Sequence, residues 1–466
     1  MSDMSTSPQS SSHLFQKFKT FVLDFKEVLS QHRRELSCLS LIAGLILFSY
    51  SAARGPSESL FLAYHDRSLL PGLWIEMGLA AGVLVAIYNR LLNYLSLYRL
   101  FHLSFITSGV VFLYLLSNLQ GGEVAHERTF EVLGFLFPIG PVTLLRIWCD
   151  LYIVLLVETF WSLSNLHFSL KSATLIYGFL GLAGSFGSMG GNMLTALYAE
   201  RWGTVNLIGL TIPSCFVMSL CLWPLGQSFH QSKSTTDPSS KSTLPSESEH
   251  QEAPSTRHSK ASASFVEGIR VISRSKYLPW LLLLVLSSQV AVTLIDYQYK
   301  GMLQEYYPEL NDRSAIQGWI YLSIDIGSVA MQLLTGLCLT IFGVGATLFS
   351  IPLLLFTLCF IPIFIPAFFV IAAGKSASKF LTYSIFKSAK ELVYLPLSYE
   401  EQTQGKALID IMIYRQAKLI ASVALILAEL LGQGDTQSTG WFTVASIFIW
   451  LLISLNIWRM LRISER

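Results

Sequence analysis

The chain has 466 residues, 52% of them hydrophobic and only 13% charged, with a formal net charge of +2. A soluble domain cannot hide that much apolar side chain, because much of its exterior must face water. The near-neutral balance carries no sign of nucleic-acid binding, and the absence of a Walker-type phosphate loop argues against a nucleotide-driven pump.

In chain order, the first dozen residues (MSDMSTSPQSSS) are polar and of low complexity. Residues 14–36 carry Lys17, Lys19, Lys26, Arg33 and Arg34 among apolar positions, a pattern that predicts an interfacial amphipathic helix. The first long apolar run starts late and is long enough to span, so no cleavable signal is expected. Runs near 37–56, 70–92, 99–119, 141–167, 171–198 and 204–227 follow. After a gap come 277–299, 314–341, 344–366, 367–389, 405–432 and 440–461. Each is near the roughly 20 residues that match a bilayer core. The gap is rich in Ser, Thr, Pro and charge (QSKSTTDPSSKSTLPSESEHQEAPSTRHSK), which cannot offset its conformational entropy by burial and reads as disordered.

The expected organisation is a cytoplasmic N-terminal segment (1–36), a first six-helix bundle (37–228), a disordered cytoplasmic linker (229–276), a second bundle (277–461) and a short cytoplasmic tail (462–466). The fold class is an all-α polytopic membrane protein of about 12 transmembrane helices, arranged 6+6 as in major-facilitator transporters. Placing both termini in the cytoplasm puts most Lys and Arg there, including Arg90, Arg99, Lys171, the linker residues and the set from Lys375 to Lys406. Six cysteines without ligand spacing predict neither disulfides nor zinc, and no cofactor is implied.

Charged residues inside spans are costly, so they are the first candidates for a substrate pathway. They are Arg54 and Glu58, Arg146 and Asp150, Glu158, Asp296 and Lys300, Asp325, Asp410, Arg415 and Lys418. Arg54/Glu58, Arg146/Asp150 and Asp296/Lys300 are each spaced i, i+4, so each pair can neutralise itself near a span end. Lys418 lies deep in its run with Arg415 one turn earlier, which favours an anion-binding role. Tyr297, Tyr299, Tyr383 and Tyr414 are candidates to stack a base, although tyrosine also populates membrane interfaces. The glycines Gly178, Gly181, Gly184, Gly187, Gly190 and Gly191 sit in an apolar run and read as helix packing.

The stretch YSIFKSAKELVYLPLSYEEQTQGKALIDIMIYRQAK (383–418) resembles the nucleotide transporters of intracellular bacteria and plastids, the ATP/ADP translocase family. Lys390-Glu391, Tyr394 to Leu397, Gly405-Lys406-Ala407, Ile409-Asp410 and Lys418 fall at that family's spacing. IDYQYKGMLQEYYPELNDRSAIQG (295–318), FWSLSN (160–165) with YGFLG (177–181), and Tyr50 with Arg54 in SYSAARG add matches in both halves. Of four charges the family associates with substrate, Lys418 matches one and Asp296 stands for a glutamate. Ser57 stands where the family has a lysine, Cys149, next to Asp150, near its other glutamate, and Lys387-Ser388 where it has aspartate-proline.

The resemblance implies a secondary antiporter of nucleotides such as ATP and ADP, or of a related anionic metabolite. It implies no enzyme activity, contact with membrane lipid but no nucleic acid, a monomer, and a home in a bacterial inner membrane. The substrate-binding set would be Lys418, Arg415, Arg54, Asp296 and Asp150, with Asp296, Lys300 and Asp325 in coupling or gating. The alternatives are a proton-coupled permease for another small solute, with Asp296 and Asp325 titrating, and a non-transporting sensor.

Overall fold

With no water in a bilayer core, backbone N–H and C=O groups must be satisfied within each segment, and the apolar runs accordingly fold as helices. The computed structural model describes residues 33–120, 127–132, 135–167, 170–234, 270–365, 367–394, 397–398, 401, 406, 409 and 414–464. The predicted interfacial helix before Arg33 and most of the linker reading, 235–269, lie outside the described residues.

Helix α1 runs Arg33–Tyr64, and a 3-10 turn at Arg67–Leu69 leads into α2, Leu70–Leu92. Helix α3 is Leu97–Gln120, α4 Pro141–His167, α5 Leu170–Trp202, α6 Thr204–Gly209 and α7 Thr211–Ser234. The second set comprises α8 Leu278–Tyr306, α9 Leu310–Phe364 and α10 Phe368–Leu381. A π turn at Thr382–Phe386 then joins α10 to α11, Lys387–Tyr394, and α12 Tyr414–Leu430 and α13 Thr436–Ser464 follow. Seven helical stretches among the described residues are long and apolar enough to cross a membrane.

Two sequence expectations need correction. Helix α1 does not stop near residue 56 but continues through Pro56 to Tyr64, so Arg54 and Glu58 lie well inside a helix rather than at a span end. The predicted spans 314–341 and 344–366 are the two arms of α9, which break at Gly343, whose φ of 75° leaves the helical region. The fold is mostly but not wholly helical. Between α3 and α4 stands an antiparallel hairpin, β1 Arg128–Val132 and β2 Phe135–Ile139, with Phe130 opposite Phe137. It rests on the start of α2, where a side chain at Gly72 would collide with the Leu136 carbonyl.

The buried side chains form two large clusters. One gathers α1 to α5 and α7 and takes in Leu294, Tyr297, Phe368 and Leu425 from the second set. The other is built from α8, α9, α10, α11 and α13 around Trp450 and Phe386. Helix α5 presses on α1 through its glycines, as expected from the sequence: a Cβ at Gly187 or Gly191 would meet the backbone of Gly44 or Phe48. Gly318 brings α9 equally close to the backbone of Ala196 on α5, so the two helix sets touch main chain to main chain there.

Polar contacts tie the sets together at one end. Thr204 N–H donates to Asn311 Oδ1 at 3.0 Å, and Arg313 Nη1 donates to the Ser59 carbonyl at 3.2 Å. Gln304 Nε2 donates to the carbonyls of Leu62 and His65, and Arg67 Nη2 reaches the Gly434 carbonyl at 3.0 Å. This will be called the Arg67 end; α11 and Lys387 mark the other.

Candidate functional site

Glu58 is the centre of a charged cluster in which four helices meet. Its Oε1 accepts from Arg146 Nη2 on α4 at 3.0 Å. The same atom lies 3.6 Å from Lys300 Nζ on α8 and 3.8 Å from Arg54 Nε on its own helix. Its Oε2 accepts from the Tyr321 hydroxyl on α9 at 2.7 Å. Glu58, Arg146 and Lys300 are all buried. Such a concentration of charge persists in a low-dielectric setting because each group has a counter-ion within reach.

The three i, i+4 pairs seen in the sequence are real contacts, but they are parts of one network rather than separate neutralised pairs. Arg146 Nη1 donates to Asp150 Oδ1 at 2.9 Å while its other nitrogen holds Glu58. Lys300 Nζ lies 3.2 Å from Asp296 Oδ2 and also faces Glu58. Arg54 packs over the Tyr321 ring at 4.3 Å and within 5.7 Å of Tyr50.

One member was misplaced by sequence reasoning. The charge asymmetry sets Lys375 among the basic residues of the cytoplasmic flank, yet it is wholly buried and ion-paired with Asp296. Its position inside the predicted span 367–389 was the available signal, the same one that singled out Lys418.

Lys418 emerges on α12 and faces the ring of Trp74 on α2 at 5.2 Å. Lys300 sits 5.4 Å from the same ring, so two ammonium groups of the second helix set approach Trp74. Tyr297 meets Trp74 edge-on at 6.4 Å. Among the described residues Lys418 has no carboxylate within ion-pair distance, although Asp150 is close enough to act on it electrostatically. The Arg415 side chain, that of Tyr414, and Asp410 lie outside the described residues. Of the other tyrosines considered for base stacking, Tyr297 and Tyr299 are buried in packing contacts and Tyr383 is 44% exposed.

Asp325 stands apart from this cluster. It lies on α9 and accepts from Ser188 at 2.6 Å and from Asn192 at 2.8 Å, both on α5, while Ser188 also bonds Ser51 at 2.8 Å. Ser57 and Cys149, where the resemblance sets a lysine and, nearby, a glutamate, lie against each other. Ser57 is buried, bonds back to the Arg54 carbonyl at 3.0 Å and lies within hydrogen-bonding reach of Cys149.

Similarity to known proteins covers the whole of this arrangement. The sequence profile described as TLC ATP/ADP transporter matches residues 9–464. "ADP,ATP carrier protein 3" of Rickettsia bellii is 23% identical over 506 residues, covering 96% of this chain and 98% of the relative. "ADP,ATP carrier protein 1" of Chlamydia muridarum is 25% identical, covering 80% of this chain and 78% of the relative. "ADP,ATP carrier protein 1, chloroplastic" of Arabidopsis thaliana is 23% identical over 80% of this chain, which spans only 65% of that longer plastid protein. Among solved structures, the nucleoside transporter NupG superposes with a TM-score of 0.60 at 9% identity, covering 91% of this chain and 98% of NupG. The POT family transporter PepTSo gives 0.56 at 11% identity, covering 93% and 98%. A fold shared with transporters and a profile match from residue 9 to 464 lead to one conclusion: the chain belongs to the TLC ATP/ADP transporter family.

Proposed function

We propose that the protein is a nucleotide antiporter that exchanges ATP and ADP, or a closely related anionic metabolite, by alternating access. The observation that carries this reading is the excess of cations between the helix sets. Arg54, Arg146, Lys300, Lys375 and Lys418 converge there against the carboxylates of Glu58, Asp150 and Asp296. If all are ionised, five positive groups face three negative ones, and a phosphate chain supplies the missing charge. Lys418, facing Trp74 and no carboxylate among the described residues, is the group best placed to hold it. Arg54, Asp150, Asp296 and Arg415 complete the proposed binding set, with Asp296, Lys300 and Asp325 in gating.

The same network favours exchange over one-way passage. Opening the Arg67 end requires Lys300 and Tyr321 of the second set to leave Glu58 of the first. In an empty site that separation strands buried charges, which costs several kcal/mol per ion. A bound phosphate chain offers the cations another partner, so the loaded carrier switches and the empty one does not.

The architecture that fits this reading has 12 spans in two six-helix bundles, 37–228 and 277–461, as in major-facilitator transporters. The 55-residue α9 supplies two of these spans. Both termini and the linker 229–276 would lie in the cytoplasm of a bacterial inner membrane, making the Arg67 end periplasmic. The protein would act as a monomer. Exchange in proteoliposomes preloaded with ATP or ADP tests the function. Wild-type protein is expected to take up labelled nucleotide only against internal nucleotide. Lys418→Gln is expected to abolish uptake with insertion unchanged, and Lys418→Arg to keep part of it. Wild-type rates in Lys418→Gln would overturn the anion site.

One observation favours a second reading, proton-coupled uptake of another solute. Asp325 is held by neutral donors only, Ser188 and Asn192, so its charge has no fixed counter-ion among the described residues.

A further inference from the structure

Towards the Lys387 end, the second helix set encloses a cavity of about 360 Å³ that none of the groups above occupies. One wall comes from α8, including Gln289; the other is a basic face of α10, the π turn and α11, with Lys379, Tyr383, Lys387 and Lys390. Three lysines border this hollow, and among the described residues no carboxylate lines it.

The π turn explains how one wall collects them. Twelve residues of unbroken α-helix would leave Lys387 about 120° round the axis from Lys375. A π turn closes i→i+5 and takes more residues per turn, which rotates α11 back towards the face that carries Lys379. Lys379 Nζ lies 5.6 Å from the centroid of the Tyr383 ring, so the wall is cationic and aromatic at once.

The wall leads to the central cluster. Lys379 is one helical turn from Lys375, the partner of Asp296, and acts electrostatically on both Lys375 and Lys418. Arg54 and Tyr383 are likewise near enough to influence each other. Lys387 stands where the family resemblance sets an aspartate, so this chain reverses the charge at the far end of the wall.

We propose that this cavity is a second phosphate-binding station, which holds the phosphate chain of an entering nucleotide before it reaches Lys418. The inference rests on the nucleotide reading above. Lysine suits the task because an ammonium meets phosphate as a point charge, without the fixed fork of arginine, and lets it move on. A cavity of this size falls within the usual range for small-molecule sites. The shared chemistry with an anionic lipid headgroup is phosphate, and the test separates the two sources.

The test measures binding of inorganic pyrophosphate and of ATP to the purified full-length protein in nanodiscs of phosphatidylcholine, with and without phosphatidylglycerol. Lys379→Gln/Lys387→Gln is expected to weaken pyrophosphate binding about tenfold or more in pure phosphatidylcholine. Lys379→Arg/Lys387→Arg is expected to retain it, which separates lost charge from lost folding, and Lys418→Gln is expected to leave this binding detectable. In oriented proteoliposomes, Lys387→Gln should raise the half-saturating nucleotide concentration more at the Lys387 end than at the Arg67 end. Unchanged pyrophosphate affinity in the glutamine pair would overturn the station, and so would competition by phosphatidylglycerol that replaces nucleotide binding altogether. Lysine-dependent pyrophosphate binding in a protein that exchanges no nucleotide would leave the station standing and sink the nucleotide reading. Normal exchange indifferent to both lysines would do the reverse.

Discussion

Glu58 and Asp325 both lie where the helix sets meet α9, yet Glu58 is ringed by Arg146, Lys300 and Arg54 whereas Asp325 has a serine and an asparagine. The first carboxylate ties α1, α4, α8 and α9 together, and removing its charge leaves three cations competing for Asp150 and Asp296. The second joins α9 to α5 by neutral donors that water replaces at little cost when the helices part. The difference separates a hub whose buried cations lose their partner when the helices part from a seam held by neutral donors alone.

Removing the hub should have the largest effect. Glu58→Gln keeps the shape and strands buried cations, a change that typically costs about 3–5 kcal/mol. Thermal unfolding of purified protein should show a Tm well below wild type, with exchange lost in whatever inserts. Tyr321→Phe, which removes one hydrogen bond to the same carboxylate, should cost only about 1–2 kcal/mol. Equal melting of Glu58→Gln and wild type would remove the distinction between hub and seam.

Much of this is legible in the sequence. Helix α4, Pro141–His167, coincides with the run predicted at 141–167, and Gly343 falls in the gap predicted between two spans. Each i, i+4 pair was visible too, because helical period is a local property. Their convergence on Glu58 was not, since it depends on which helices become neighbours, and no period records that. Trp74 carries no charge and reads as an ordinary span aromatic until both Lys300 and Lys418 are found against its ring. The hairpin was missed because Arg128–Val132 and Phe135–Ile139 are short and lie between two much stronger apolar signals. The π turn at Thr382–Phe386 was beyond reach, as nothing in the period of 367–389 marks it.

The next effect in size comes from placing at Ser57 and Cys149 the charges that the family resemblance sets at or near those positions. Ser57→Lys alone places an ammonium in a buried position beside Arg54 and should destabilise by about 3 kcal/mol. Adding Cys149→Glu gives that lysine a partner across the α1–α4 contact and should recover about 1–3 kcal/mol as a coupling energy in a double-mutant cycle. Additive losses in the cycle would mean that the two positions do not behave as a pair.

A smaller effect is expected at the Arg67 end, where Glu127 seals α1 against α4. Burial pushes this carboxyl up, but hydrogen bonds from His65, from the Val142 N–H at 2.6 Å and from the Thr143 hydroxyl at 3.0 Å outweigh it and hold Glu127 below the usual carboxylate range. A depressed carboxylate contributes stability above its unfolded value of about 4.3 and loses it as pH falls through the folded value. Glu127→Gln should therefore cost about 1 kcal/mol at neutral pH. The gap to wild type should narrow on acidification below about pH 4. A gap that widens with acid would show that Glu127 is not held as a carboxylate.

Asp325→Asn should have the smallest effect on stability and the most to say about mechanism. Asparagine keeps the shape and an acceptor oxygen for Ser188 and Asn192, so the folded state should change by less than about 1 kcal/mol. If the protein exchanges nucleotides as proposed, uptake into preloaded vesicles should proceed in wild type and in Asp325→Asn alike, with little response to collapsing the proton gradient. The network around Glu58 predicts this, because its switching is governed by phosphate replacing a fixed carboxylate rather than by a proton arriving at the seam. Asp296→Asn, which unbalances Lys300 and Lys375, should slow the same exchange, and Asp296→Glu should largely preserve it. The measurement that decides is accumulation in empty vesicles with an inward proton gradient. Strong uptake there, abolished by Asp325→Asn, would make the seam the coupling site and replace the antiporter with a proton-driven permease.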